Sequence, residues 1–242
     1  MAGLFKELAA EHGLDQEETR HLLESIISDT LSCATQQKFL AAFDGKRLQI
    51  YKGEGRSGYE GLVEIPPEKV RKEIVRLFRY RLDAELKRRK AFAEHEYLKT
   101  LRGKVLKGTI DRILENGCLS VLFYIEELFS CREWLGICPV ANQPCRERGT
   151  YRKGQGLYFF ISSVRLVQEG RLYRHVITLS RSTPQLTEAL LIRQTGHNGV
   201  KCVRRIAGKI SVVNSETRLP RESIIAVGKE LRERIKVRCL TC

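Results

Sequence analysis

The stretch HVITLSRSTPQLTEALL, His175 to Leu191, constrains the fold of this chain more than any other. A strand-like run ends at Leu179-Ser180-Arg181. After only Ser182-Thr183, Pro184 opens a helix-like run, because proline's fixed φ and missing N–H suit the first helical turn. The spacing predicts a strand joined to a helix by a turn too short to swing. Two modules meeting there hold a fixed mutual pose and avoid the ordering entropy of a long linker.

Alternation before this junction predicts a small β unit. RGKVLKGTIDRILENGCLSVLFYI carries Gly103 and Gly108, alternating apolar residues, and Asn116-Gly117 as a tight turn. GLYFFISSVRLVQEGRLYRHVITLS supplies two more strands around Gln168-Glu169-Gly170. Leu157, Phe159 and Ile161 are expected inward, with Tyr158, Phe160 and Ser162 outward. Four or five short strands within ~80 residues, with glycines at the bends, suit a small closed barrel of OB type.

Helical spacing dominates earlier. Asp15 with Glu18 matches a capping box, and Leu22, Leu23, Ile26, Ile27, Leu31, Ala34 and Phe39 recur on one face. A helix is therefore expected over 15–42, with a shorter one at 4–12. KRLQIYKG and YEGLVEI are expected strands, split by the loop EGRSG. Pro66-Pro67 then opens a helix in which Val70, Ile74, Phe78, Leu82 and Leu86 fall four apart, with Leu77 alongside. Basic residues from Arg71 to Lys90 cover its other faces. After the junction, the pattern predicts a helix at 184–193, strands near 200–207 and 209–214, a helix at 221–234 and a strand at 235–240. The expected class is α+β with three domains, 1–100, 101–182 and 183–242.

Charge is unevenly spread. The 242 residues carry a net +14, but residues 1–65 hold 7 Lys/Arg against 11 Asp/Glu. Residues 66–108 hold 14 against 6, and the remainder 22 against 12. A strongly basic body behind an acidic head suits a polyanionic partner, most simply nucleic acid. No apolar run approaches the ~20 residues of a membrane helix, and the amphipathic N-terminus is unlike a signal peptide. A soluble, cytoplasmic protein is expected.

Other chemistries find little support. The eight cysteines are expected to be reduced and mostly buried thiols. Cys131, Cys138 and Cys145 lie seven apart, and Cys239 and Cys242 form a single C-x-x-C; a structural zinc site usually pairs two such knuckles. No metal or cofactor is expected. His12, His21, His95, His175 and His197 sit in no catalytic motif, and Glu126-Glu127 fits a solvated loop. No enzyme is expected.

GKVLKGTIDRI and YRKGQGLYFFISSV resemble the first strand and the loop-plus-strand of S1-type RNA-binding barrels. LSRSTPQLTEALL resembles the barrel-to-KH junction of the bacterial NusA transcription factors. HLLESIISDTLSCATQQKF resembles that family's first long helix, and IIAVGKELRERIKV the end of its first KH domain. The resemblance covers nearly the whole chain in the order head, barrel, KH. It implies RNA polymerase as partner of residues 1–100 and nascent single-stranded RNA as ligand of the rest, with a monomeric protein modulating pausing, termination or antitermination.

The chain departs from that pattern in three ways. It ends where a second KH domain would begin. It has no G-x-x-G between paired helices, since GHNG at Gly196 to Gly199 reads as a linker turn. It also carries CREWLGICPVANQPCRERGT as an insertion in the barrel. Candidate RNA contacts are Lys104, Lys107, Arg112, Tyr124, Tyr158, Arg171, Tyr173, Arg174 and Arg181 in the barrel segment, and Lys201, Arg204, Arg205 and Lys209 beyond it. Aromatics interleaved with cations are what a single-strand binder needs. The alternatives are a general RNA-binding accessory protein acting on rRNA or mRNA, and a protein-interaction module without RNA affinity.

Overall fold

The computed structural model describes residues 16–44, 47–54, 61–66, 72–127, 130–170 and 172–240. The chain divides into two compact units, 1–93 and 94–242. The expected helix at 4–12, residue Asp15 of the capping box, the loop EGRSG beyond its first residue, and Pro67 lie outside the described residues.

In the first unit, helix α1 (Gln16–Thr35) precedes strands β1 (Phe39–Asp44), β2 (Arg47–Glu54) and β3 (Gly61–Ile65), which form an antiparallel sheet in that order. The helix ends seven residues short of the predicted 42, so Phe39 begins a strand rather than extending the helical stripe. Gln36 takes a left-handed φ of 55° at that point and turns the chain out of the helix.

A polar row along α1 then receives the strand edge. Glu24 Oε1 accepts the Phe43 N–H at 2.8 Å, Ser28 Oγ the Ala41 N–H at 2.8 Å, and Ser32 Oγ the Phe39 N–H at 3.0 Å. Residues four apart on a helix thus satisfy alternate amides of an edge strand that would otherwise invite pairing. The Phe43 amide and Arg20 hold the Glu24 carboxyl below its ordinary range, although burial pushes the other way. Leu22 and Ile26 pack with Phe78, Leu82 and Leu86 of helix α2 (Lys72–Thr100). These three belong to the stripe predicted for α2, of which Val70 lies outside the described residues, while Leu77 stays 36% exposed.

The second unit holds a closed five-stranded barrel in the order β4-β5-β6-β8-β7, with β7 returning to β4. Its strands are β4 (Val105–Ile113), β5 (Leu119–Glu127), β6 (Ser130–Cys138), β7 (Gly156–Glu169) and β8 (Leu172–Ser180). All neighbours are antiparallel except β6 and β8. Ile110, Val121, Phe123, Trp134, Phe159, Ile161, Ile177 and Leu179 fill the interior, together with Leu98 from the end of α2. Leu157, Phe159 and Ile161 point inward as the alternation predicts.

The segment Cys131 to Thr150 is not a dispensable insertion. Its first part is β6, whose Trp134, Gly136 and Cys138 face the core and which closes the barrel between β5 and β8. The rest stitches the barrel's end together. Gln143 Nε2 donates to the Gly117 and Cys138 carbonyls at 3.0 Å each, and Asn142 Nδ2 donates to the Leu179 carbonyl at 3.1 Å.

Beyond the barrel come helix α3 (Pro184–Thr195), β9 (Val200–Ile206), β10 (Ile210–Ser215), helix α4 (Arg221–Leu231) and β11 (Arg234–Cys239). Pro184 is the first residue of α3, as predicted, and Thr183 occupies the position before it without a side-chain capping bond. Gly196, at φ 72°, ends α3 and makes GHNG a linker turn. The sheet order is β11-β10-β9, with β10 antiparallel to β9 and parallel to β11. Both helices cover one face of this sheet, around Leu186, Leu190, Leu191, Val213, Val227 and Leu231. The class is α+β throughout.

Candidate nucleic-acid interface

Three candidate contacts prove to be structural. Arg181, the last residue of the LSR run, is 1% exposed. Its Nε donates to Glu147 Oε2 at 2.8 Å and its Nη2 to Glu147 Oε1 at 3.1 Å. The remaining N–H groups reach the Tyr158 carbonyl (2.8 Å), Glu230 Oε1 (3.1 Å) and the Glu230 carbonyl (3.1 Å). All five donors of the fork are used. Glu147 also accepts the Tyr151 hydroxyl at 2.7 Å, and Glu230 Oε1 accepts the Tyr158 N–H at 2.9 Å. Burial disfavours the Arg181 cation, but its bonds to Glu147 outweigh that and raise it above the ordinary arginine value.

Arg205 is the second correction. Its side chain is 1% exposed, with Nε between the two Glu233 oxygens at 3.1 and 3.2 Å and Nη1 on the Thr183 carbonyl. Ser211 Oγ, the Gly208 N–H and Thr187 Oγ1 also donate to Glu233, at 2.7, 3.1 and 3.3 Å. Burial lowers Arg205 against the pull of Glu233. Strand alternation explains the miss: within RRI, Arg204 points out and Arg205 points in, and the sequence does not show a carboxylate waiting 28 residues on.

Tyr158 is the third correction. It is half-buried against the α3–α4 core, with Arg193 at 5.3 Å over its ring, and Phe160 packs in the same cluster. Together these contacts fasten α3 and α4 to the barrel. The elbow Ser182-Thr183 is locked from both sides, by Arg181 on the barrel and Arg205 on the sheet.

The other candidates lie on the surface. Lys104, Lys107, Arg112 and Arg174 are exposed on the barrel segment, and Lys201, Arg204 and Lys209 on the sheet side. Arg112 pairs with the adjacent Asp111 at 3.0 Å. Tyr124 is 62% exposed, but its hydroxyl donates to Glu133, directly opposite it on β6, at 3.1 Å. That carboxylate makes the patch less welcoming to phosphate. Tyr173 is half-buried on β8. Arg171 lies outside the described residues.

Two basic features escaped the sequence reading. Arg152 and Lys153 face Arg232 across a notch also lined by Thr150, Gly154 and Gln155, and Arg232 Nη1 donates to Thr150 Oγ1 at 3.2 Å. The second is the sheet face turned away from α3 and α4. There Arg234, Lys236 and Arg238 alternate with the inward Ile235, Val237 and Cys239. The period-2 pattern of RIKVRC was the available signal.

The thiols are less buried than predicted. Among the described cysteines, Cys138 and Cys202 are buried, Cys118 and Cys239 partly so, and Cys33 and Cys145 exposed. Burial pushes the Cys138 thiol up to about 12, leaving it unreactive. Among the described residues no group of three or more His, Cys, Asp or Glu side chains is placed to hold a metal. None of their helices is long and apolar enough to cross a membrane. The chain matches no known protein-family model and no curated protein.

Proposed function

We propose that this chain is a NusA-like RNA-binding transcription factor of the cytoplasm. Residues 1–100 dock on RNA polymerase. Its barrel, read as S1-like of the OB type, and its last sheet, read as a shortened KH-like element, hold nascent single-stranded RNA and so modulate pausing, termination or antitermination. One observation carries this reading: a closed five-stranded barrel passes through a latched elbow into an α-β-β-α-β element, and both expose unpaired cations. That succession matches the family's order, and the parallel β6–β8 contact suits a Greek-key barrel of OB type. A rigid elbow lets one strand of RNA meet both surfaces without the cost of ordering a linker.

The test is a pull-down of the full chain combined with crosslinking of bound RNA. RNA polymerase and short nascent transcripts are expected. Mature rRNA or mRNA without polymerase would replace this reading with that of a general RNA-binding accessory protein. The withdrawal of Arg181, Arg205 and Tyr158 from the surface favours a second reading, a protein-interaction module. Negligible RNA affinity at low salt would establish that one.

A further inference from the structure

We infer that the open face of the β9–β10–β11 sheet is the chain's principal RNA-gripping surface, a track for one extended single strand. The inference rests on the RNA-binding reading above and gives it a location.

Alternation puts Arg234, Lys236 and Arg238 on the outer face of β11, spaced ~6.7 Å apart along the strand. Across the sheet β9 offers Lys201 and Arg204, about two strand spacings away, or ~9.5 Å. The register sets Lys236 beside Val212, and Val212 beside Arg204; it sets Arg238 beside Asn214, and Asn214 beside Lys201. Two cation rows therefore flank a narrow middle strip of Ile210, Val212 and Asn214. At its margin Ile206 is 42% exposed and Val203, at the β9 irregularity, 59%. The three strands contain no aspartate or glutamate, and the five cations form no ion pair among the described residues.

Each cation lies beside a neutral β10 residue and not beside an acid, so the sheet itself supplies no neutralising partner. In α2, by contrast, Arg88 and Lys87 meet Glu85 and Asp83. Five cations without an acidic partner around an uncharged strip are relieved by a polyanion, whose phosphates reach the two rows while its bases lie on the strip. An acidic amphipathic helix is the competing occupant. It needs an apolar stripe about 100° wide, and here cations stand one strand spacing from Val212 on either side.

Fluorescence anisotropy with a labelled single-stranded RNA of ~20 nucleotides tests the proposal on the full chain. The triple variant Arg234→Gln, Lys236→Gln, Arg238→Gln should bind at least ~10-fold more weakly at low salt, with the slope of log K against log salt shallower by about 2. Lys236→Gln and Arg238→Gln singly should each flatten that slope by ~0.7, which keeps the test open should the triple variant misfold. Arg76→Gln with Arg79→Gln on α2 should leave affinity at the wild-type level.

If the triple variant stays within about twofold of wild type while Lys104→Gln with Lys107→Gln abolishes binding, RNA sits on the barrel. The track is then wrong and RNA binding stands. If the wild-type chain binds no RNA, both readings fall. If labelled polyglutamate binds the wild-type chain as tightly as RNA and is lost in the triple variant, the face receives an acidic protein segment, and the RNA track is overturned.

Discussion

Arg181 shows how one side chain can weld two layers. It sits in the interior with both Glu147 oxygens and both polar ends of Glu230 around it. Replacing it with methionine leaves Glu147 buried and uncompensated, a change that costs about 3–5 kcal/mol when one partner of a buried pair is removed. Arg181→Met should lower the thermal midpoint markedly, and adding Glu147→Gln should restore part of the loss; equal melting of single and double variants would deny the pairing its role.

His95 makes the opposite point about charge. It is 9% exposed, stacks on His175 at 6.1 Å, and its Nδ1 has no hydrogen-bond partner among the described residues. Burial, then Lys99 and His175, hold its pKa below the ordinary 6.5. A depressed histidine contributes stability that is complete above the unfolded value and drains away as pH falls towards the folded one. Denaturant midpoints should therefore drop as pH falls below about 6.5, and His95→Phe should flatten that drop. A midpoint independent of pH in wild type would remove His95 from the account.

At the scale of elements, the barrel depends on two close approaches that only glycine permits. A Cβ on Gly108 would stand 2.5 Å from Val121 Cγ1 and 3.2 Å from the Leu122 carbonyl oxygen; one on Gly136 would stand 2.7 Å from Leu179 Cδ1. Gly108→Ala should destabilise the barrel by about 1–3 kcal/mol through overpacking, read as an earlier loss of near-ultraviolet tryptophan signal from Trp134. The elements themselves were largely legible. The helices and strands after Pro184 fall within a few residues of their predicted bounds, because period and turn chemistry agree there. The run from Gln36 to Asp44 misled because Phe39 keeps helical spacing with Leu31 while actually opening a strand. β6 was missed because its Cys-Arg-Glu-Trp start lacks the clean alternation of its partners.

For the whole molecule, the salt dependence of RNA binding reads out how many cations act together. Five sheet cations with Lys104 and Lys107 make seven possible phosphate contacts, for which the slope of log K against log salt should approach about −5. A slope near −1 would show that the surfaces do not share one strand. The acidic start of the chain and its basic remainder were visible in the sequence as a sum, but a sum does not say which charges reach solvent.

By itself the sequence determined most of the elements, though not β1 or β6, together with the small β unit, the proline-started helix at Pro184 and the basic balance, because each depends on local period, turn residues or composition. Only the tertiary structure decided which of those cations are free. Arg204 and Arg205 are neighbours of the same type, yet one faces water and the other a buried carboxylate. Arg181 looks like a surface arginine until Glu147 and Glu230 are brought to it from 34 residues upstream and 49 downstream. Burial and pairing are properties of a closed surface, and no stretch of chain carries that surface alone.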